Sequence, residues 1–397
     1  MNYLTKKTVK DVDVKGKSVL LRCDFNVPID KFGNITDTKR IDESVTTINY
    51  LLNNDAKVIL CSHMGKPKGQ FDKKFSLAPV AIYLSEILKK DVKLAQDVVG
   101  ESAAKTVASL KFGEICMLEN LRFEPGEEEN DDEFSRKLAS FAQIYVNDAF
   151  GTCHRAHAST VGVAKYLPAV CGFLIEKEIS EISKIVNNPV RPLTAILGGA
   201  KISDKINVID SLLEKVDTII IGGGMSYTFM NALGYAVGNS ICESDKISFA
   251  KDMMAKAKEK NVKFLLPLDI VIANKYSSDA DYKITNADSI PEGWMGLDIG
   301  PKTIELFSEI ISNSGTVVWN GPVGVFEWKN FESGTFGIAK ALSESNAISI
   351  VGGGDSAAAI DKFGLSDKIT HISTGGGAFL KFLEGKELAG LEVIEDK

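Results

Sequence analysis

Ile348-Ser349-Ile350-Val351 runs straight into Gly352-Gly353-Gly354-Asp355-Ser356, and Ala357-Ala358-Ala359-Ile360 follows. An almost unbroken apolar run suits a strand buried on both faces, as in a parallel sheet covered by helices. The same order of apolar run and glycine corner recurs elsewhere in the second half. Ala195-Ile196-Leu197 precedes Gly198-Gly199, Thr218-Ile219-Ile220-Ile221 precedes Gly222-Gly223-Gly224, and Ile369-Thr370-His371-Ile372 leads to Gly375-Gly376-Gly377. Phe264-Leu265-Leu266 and Thr316-Val317-Val318-Trp319 add further strands. The first half repeats the theme at Val19-Leu20-Leu21, Val58-Ile59-Leu60, Ile115-Cys116-Met117-Leu118 and Ile144-Tyr145-Val146. Periodicity alone does not separate such runs from buried helix pieces; their length and flanking glycines do. The expectation is an α/β protein of two Rossmann-like lobes, each a mainly parallel sheet flanked by helices. Between the halves Ile175, Ile179, Ile182 and Val186 mark one face of a helix that Asn187-Asn188-Pro189 stops. That helix is either a hinge element or an ordinary packed surface helix.

At 397 residues the chain exceeds one ordinary core, so two domains are expected. A net charge of −7 argues against nucleic acid or an anionic membrane as partner, and a polyanion would need a local basic pocket. The six cysteines form no CxxC pair and several sit in apolar runs, which fits a reducing compartment. Met1 to Lys10 is polar, without an apolar signal region, and no stretch approaches the length of a membrane span. A cytoplasmic protein is expected.

Glycine lets backbone approach a ligand closely, and a helix N-terminus offers free N–H groups to phosphate. Corners that share one edge of a parallel sheet lie where ligands bind. Lys201 and Lys205 follow Gly198-Gly199-Ala200 four residues apart, on one face if a helix starts there. They would either neutralise a phosphoryl group or be solvated. Asp355 would either hold Mg²⁺ on nucleotide phosphates or cap its helix. No G-x-x-x-x-G-K-[ST] loop, H-R-D catalytic loop or G-x-G-x-x-G after a strand occurs.

Basic and polar groups gather at or after the first-half strands: Arg22 with Asp24-Phe25-Asn26, Arg40, His63 with Lys66, Arg122, and His154-Arg155 with His157. Guanidinium groups bind carboxylate and phosphate in a fork, as a small anionic substrate requires. His154 and His157 have only Cys153 nearby as a further zinc ligand, so metal is not expected there. The acidic run from Glu127 to Glu133 reads as a solvated loop or helix start.

Taken together, these stretches resemble the phosphoglycerate kinase family. The resemblance rests on Arg22-Cys23-Asp24-Phe25-Asn26-Val27-Pro28, Ser62-His63-Met64-Gly65-Lys66-Pro67, Leu118-Glu119-Asn120-Leu121-Arg122-Phe123 and Gly151-Thr152-Cys153-His154-Arg155-Ala156-His157-Ala158-Ser159. It continues through Gly198-Gly199-Ala200-Lys201, Gly296-Leu297-Asp298-Ile299-Gly300-Pro301, Trp319-Asn320-Gly321-Pro322-Val323-Gly324-Val325-Phe326-Glu327 and Gly352-Gly353-Gly354-Asp355-Ser356. It implies reversible transfer of a phosphoryl group from 1,3-bisphosphoglycerate to ADP, giving 3-phosphoglycerate and ATP in glycolysis. Asp24, Phe25, Asn26, Arg40, His63, Met64, Gly65, Lys66, Arg122 and Arg155 would hold the phosphoglycerate. Gly198, Gly199, Lys205, Gly296, Leu297, Asn320, Glu327, Gly353, Gly354, Asp355 and Ser356 would hold the nucleotide, with Mg²⁺ on Asp355. Arg40, Lys201, Lys205, Gly375 and Gly376 would surround the moving group. The implied organisation is a monomer: residues 1–172 plus 379–397 bind phosphoglycerate, 173–189 form the hinge, and 190–378 bind Mg-ADP or Mg-ATP.

Two positions depart from the family's usual pattern. Lys66 replaces a common arginine, so a point charge stands for a fork, and Cys153 replaces a common alanine. A non-catalytic nucleotide-binding protein on the same fold is the principal rival, disfavoured by the intact set of Arg40, Lys205 and Asp355. A nicotinamide-dependent dehydrogenase is disfavoured by the missing fingerprint.

Overall fold

The computed structural model describes residues 3–397; Met1 and Asn2, the start of the polar N-terminal stretch, lie outside the described residues. The chain divides into two compact units, one running to Glu181 and resuming over Glu387–Lys397, the other spanning Ile182–Lys386.

The first unit is built on β1 (Ser18–Cys23), β2 (Lys57–Cys61), β3 (Val92–Leu94), β4 (Ile115–Met117), β5 (Ile144–Asp148) and β6 (Ala169–Cys171). They form one parallel sheet in the order β3-β4-β2-β1-β5-β6. Its connections carry α1 (Lys39–Asn53), α2 (Ala78–Leu88), α3 (Glu101–Ala108) and α4 (Asp132–Ala139), and α5 (Phe173–Asn187) follows β6. The central strands are buried along their length; Val19 pairs with Val58 on one side and Ile144 on the other. Ile41, Ile48, Leu51 and Leu52 of α1 pack with Val19, Leu21, Val58 and Leu60. Full burial of such a side chain contributes roughly 1.5–3 kcal/mol, which fixes the strand directions that aim the loops.

The second unit contains β7 (Leu193–Leu197), β8 (Thr218–Ile221), β9 (Ala236–Val237), β10 (Lys263–Leu265), β11 (Asp269–Ala273), β12 (Tyr282–Asn286), β13 (Ser289–Ile290), β14 (Met295–Ile299), β15 (Thr316–Asn320), β16 (Ile348–Gly352) and β17 (His371–Ile372). Its main sheet is parallel, in the order β10-β8-β7-β15-β16-β17. A smaller antiparallel sheet, β12-β11-β14, carries an irregularity between Val271 and Ile272, and β9 pairs with β13. The helices are α6 (Ile206–Leu212), α7 (Met225–Ala232), α8 (Ile247–Glu259), α9 (Pro301–Ser312), α10 (Ser333–Glu344), α11 (Gly354–Lys362) and α12 (Gly376–Leu383), with α13 (Ala389–Glu392) after the chain returns to the first unit. That return comes at Glu387, later than the expected residue 379. The reason is α12, which packs on α6 and β16 and whose Leu383 carbonyl accepts from Lys215 Nζ at 2.8 Å.

The expected helix between the halves is α5, with Ile175, Ile179 and Ile182 buried and Ile185 rather than Val186 continuing the face. Of the run Ile369–Ile372 only His371 and Ile372 are strand. In each parallel sheet the connectivity reverses once, beside β1 and β5 in the first and beside β7 and β15 in the second. Crevices at such switch points lie outside the carboxyl ends of the strands.

Candidate active site

In the first unit, loops leaving the carboxyl ends of β1, β2 and β4 are laced together. The Phe25 N–H donates to Ser62 Oγ (2.8 Å), the Gly65 N–H to Asn26 Oδ1 (2.8 Å), and Arg122 Nη1 to the Gly65 carbonyl (2.7 Å). Buried Asn120 pins two of these loops: its Oδ1 accepts from the Met64 and Arg122 N–H groups, and its Nδ2 donates to the Met64 carbonyl. Arg40, in the first turn of α1, donates from Nη1 to the Asn26 carbonyl (2.8 Å) and lies 3.6 Å from Asp24 Oδ2. His63 Nδ1 is 3.8 Å from Asp24 Oδ1. Phe25 and Met64 put their side chains in the core, so they serve this edge only through backbone that braces the loops. Lys66 stands exposed, and Arg155, after β5, donates from Nε to His154 Nε2 (3.2 Å).

The electrostatics agree with this clustering. Burial drives the His63 pKa well below its ordinary value; Arg22, Arg122 and Arg155 push the same way and Asp24 opposes them. Burial and the arginines also hold His157 down to about 4, so both rings are neutral at pH 7. Burial pulls the Asp24 carboxyl upward, but Arg40, His63 and Arg22 outweigh it and keep its pKa below the usual range. Four guanidinium groups with two short carboxylate and amide braces make an anion site rather than an acid–base dyad. Among the described residues no cluster of histidine, cysteine and carboxylate could hold a metal. Cys153 is buried, accepts from Asn147 Nδ2 (3.7 Å), and has its thiol pushed upward by burial, so it is no nucleophile.

In the second unit the four glycine corners follow β7, β8, β16 and β17 at one edge of the sheet. They are not equivalent. A side chain at Gly198 would strike the Pro322 and Gly321 carbonyls, so that glycine serves close packing between the β7 and β15 loops. Gly353, at φ 101°, turns the chain into α11, and Gly354 beside it faces open space. Gly376, at the start of α12, lies against Gly353, while the buried Gly375 bonds within its own loop. Lys205 is buried and donates to Asn320 Oδ1; Asn320 Nδ2 donates to the Gly352 carbonyl (2.7 Å). Buried Ser356 accepts from the Gly321 N–H (2.6 Å). Burial lowers the Lys205 pKa to about 8 against the pull of Asp204 and Asp355.

Two sequence expectations change here. Lys201 and Lys205 do not share a helix face, because Ser203–Lys205 is a 3₁₀ turn and α6 starts at Ile206; Lys201 is exposed while Lys205 is buried. Asp355 is not the cap of α11, since Gly353 occupies that position and Asp355 lies in the first turn. Its exposed carboxylate makes no hydrogen bond or ion pair among the described residues. A single free carboxylate beside open glycine backbone suits Mg²⁺, which takes one or two carboxylates and completes its shell with phosphates and water. Gly296 donates its N–H to Ser240 Oγ (2.9 Å) and Leu297 accepts from the Val325 N–H (2.9 Å), tying β14 to the loop that carries exposed Glu327.

Sequence reasoning missed Glu127. It was expected in solvent, yet it is fully buried and accepts from the Ser159 N–H (2.9 Å) and Oγ–H (2.6 Å). Nothing in a run of like charges marks which member turns inward; only Ser159, in the histidine-containing stretch, offered a signal.

The sequence profile described as phosphoglycerate kinase matches residues 9–386. The chain is 58% identical over 395 residues to phosphoglycerate kinase of Clostridium kluyveri, covering 99% of each chain. It is 57% identical over 400 residues to that of Clostridium botulinum, covering all of both. The chain belongs to the phosphoglycerate kinase family. Among solved structures, phosphoglycerate kinase from Coxiella burnetii matches with TM-score 0.86 at 42% identity, and that from Pyrococcus horikoshii with 0.84 at 33%, each covering 98% of both chains. As a member of the family the chain is a phosphotransferase of glycolysis, moving a phosphoryl group between 1,3-bisphosphoglycerate and ADP, with ADP or ATP as co-substrate. Among the described residues no helix is long and apolar enough to cross a membrane.

Proposed function

We propose that the first unit binds the phosphoglycerate through Arg40, Arg122, Arg155, His63, Asp24 and Asn26, and that the second binds the magnesium nucleotide at the Lys205, Asn320, Gly353, Gly354 and Asp355 corner. The observation that carries the reading is Lys205: a buried cation held by Asn320 at a glycine corner, making no salt bridge to a carboxylate among the described residues. Such a charge is costly unless a ligand anion completes it.

Reaction by this arrangement needs no covalent intermediate and no general base, because the attacking carboxylate or phosphate oxygen is already anionic. The protein aligns the reacting oxygens and neutralises charge. Arg40 of one unit and Lys205 of the other stabilise the oxygens of the moving group, accompanied by Lys201 and by the backbone N–H of Gly376 at the start of α12, with Gly375 shaping that turn. Arg122 and Arg155 hold the far end of the phosphoglycerate, and Lys66 adds a point charge. Leu297, Gly296 and Glu327 receive the nucleoside. Asp355 would hold Mg²⁺, which would supply charge neutralisation to the nucleotide phosphates. Water is excluded by hinge bending, since it would hydrolyse the acyl phosphate. The working form is a monomer in the cytoplasm; the buried thiols suit a reducing compartment.

Calorimetry with coupled ATP formation tests the assignment. Arg122→Ala should weaken 3-phosphoglycerate and leave Mg-ADP affinity unchanged, whereas Asp355→Ala should do the reverse. Loss of both affinities in either variant would overturn the division of labour.

A further inference from the structure

Beneath the basic cluster runs a buried chain of hydrogen bonds that no substrate contact accounts for. Glu127 accepts from the Ser159 N–H and hydroxyl, and its own carbonyl accepts from the Ala158 N–H (2.9 Å). The Ser159 carbonyl accepts from Tyr145 Oη (2.7 Å), so the serine is fixed from both sides. With its proton committed to Glu127, the Ser159 hydroxyl has only lone pairs to offer Arg22, whose Nε donates to it at 3.2 Å. Arg22 is almost fully buried; Nη1 donates to the Cys23 carbonyl (2.6 Å) and Nη2 meets His63 Nδ1 at 3.4 Å.

A guanidinium has no acceptor, so where Arg22 Nη2 donates to His63 Nδ1 at 3.4 Å the ring proton sits on Nε2; Asp24 Oδ1, 3.8 Å from the same nitrogen, pulls the other way, and the nearer Arg22 decides the tautomer. We propose that Glu127 is a positioning residue for the phosphoglycerate site, acting through Ser159 and Arg22 to hold His63 as the neutral Nε2–H tautomer. This deepens the reading of the basic cluster as the phosphoglycerate site and rests on it. The held tautomer gives the site one imidazole N–H donor for an anionic oxygen. Were the proton on Nδ1, it would face the Arg22 N–H, and Nε2 would present a lone pair to an anion.

Glu127→Gln keeps the shape but puts an amide donor where one Ser159 donor needs an acceptor. Ser159→Ala removes the link without altering charge, and carries the test should the glutamine variant not fold. The chain has four histidines, so ¹⁵N–¹H correlation spectra resolve each ring, with His63 assigned by its absence in His63→Asn. The wild type should show His63 as a single Nε2–H tautomer at neutral pH, and both variants a mixture. The KM for 3-phosphoglycerate should rise about tenfold, the effect of one buried hydrogen bond, with kcat and the KM for Mg-ATP within about twofold. Removing a carboxylate from beneath an anion site would by charge alone tighten binding, so weaker binding in Glu127→Gln reports lost positioning. An unchanged His63 tautomer, or an unchanged or lowered KM for 3-phosphoglycerate, overturns the proposal. The parent reading fails separately: it does so if 3-phosphoglycerate leaves the wild-type His63 signals unmoved.

Discussion

Replacing Lys205 by methionine should make the protein more stable and far less active. The ammonium group is buried, and burial lowers its pKa from 10.5 to about 8. At 1.36 kcal/mol per tenfold, keeping that charge in the fold at pH 7 costs about 3 kcal/mol. Methionine fills similar volume without the charge but leaves Asn320 Oδ1 without its donor, a loss of roughly 1 kcal/mol. The net gain is roughly 2 kcal/mol, which for a unit of this size raises Tm by roughly 4–8 °C. The pH dependence follows from linkage. Between pH 8 and 10.5 the unfolded chain binds more protons at Lys205 than the native state does, so the wild type recovers stability as pH rises through that window. The advantage of Lys205→Met should therefore be largest at pH 7 and smaller by roughly 1 kcal/mol at pH 9. In kinetics, loss of a donor that acts on developing charge lowers kcat roughly 10²–10³-fold while the nucleotide KM changes much less. Paired thermal melts at pH 7 and 9, with initial rates at saturating substrate, measure both arms. A variant less stable than wild type at pH 7, or an advantage that grows with pH, would refute the desolvation argument; near-normal kcat would remove Lys205 from the chemistry.

Asp355→Asn should raise the Mg-nucleotide concentration needed for half-maximal rate and leave Tm unchanged, because the carboxylate caps no helix; an unchanged nucleotide dependence in initial-rate assays would count against the metal role. Asp148 Oδ1 accepts from the Leu174 and Ile175 N–H groups at the start of α5, Oδ2 is buried without a hydrogen-bond partner among the described residues, and burial raises its pKa to about 7. Its folded pKa lies above the unfolded 3.8, so its contribution is present at low pH and lost as pH rises through 7. Asp148→Asn keeps the acceptor and escapes that loss, and its stability advantage in urea melts should widen by about 3 kcal/mol from pH 5 to 8; a constant gap would exclude ionisation of Asp148 as the cause. Because Arg40 and Lys205 belong to different units, small-angle scattering should show a smaller radius of gyration with 3-phosphoglycerate plus magnesium nucleotide than with either alone. Equal radii in the free and doubly liganded protein would sink hinge closure.

The strands that matter most for the fold were legible because parallel strands buried on both faces need unbroken apolar residues, and Val58-Ile59-Leu60 or Ile219-Ile220-Ile221 have no other comfortable place. The strands at the margins were not legible. β3 and β6 have three residues each at the sheet's edges, and the exposed face of β12 leaves Tyr282-Lys283-Ile284 without a burial pattern. The glycine corners and the basic residues could be picked out because phosphate recognition restricts residue type: glycine at Gly353 for its backbone angle, arginine for a fork. What sequence left open is which neighbour each group meets. Lys201 and Lys205 look alike along the chain; a 3₁₀ turn buries one and exposes the other. Asp355 reads equally as cap or ligand until Gly353 takes the cap position. Glu127 is one acidic residue in a run, and it becomes the buried partner of Ser159 only because residues 32 positions apart come within 2.6 Å. Local sequence fixes propensity and chemistry within a few residues, whereas burial, pairing and protonation depend on what distant segments bring alongside.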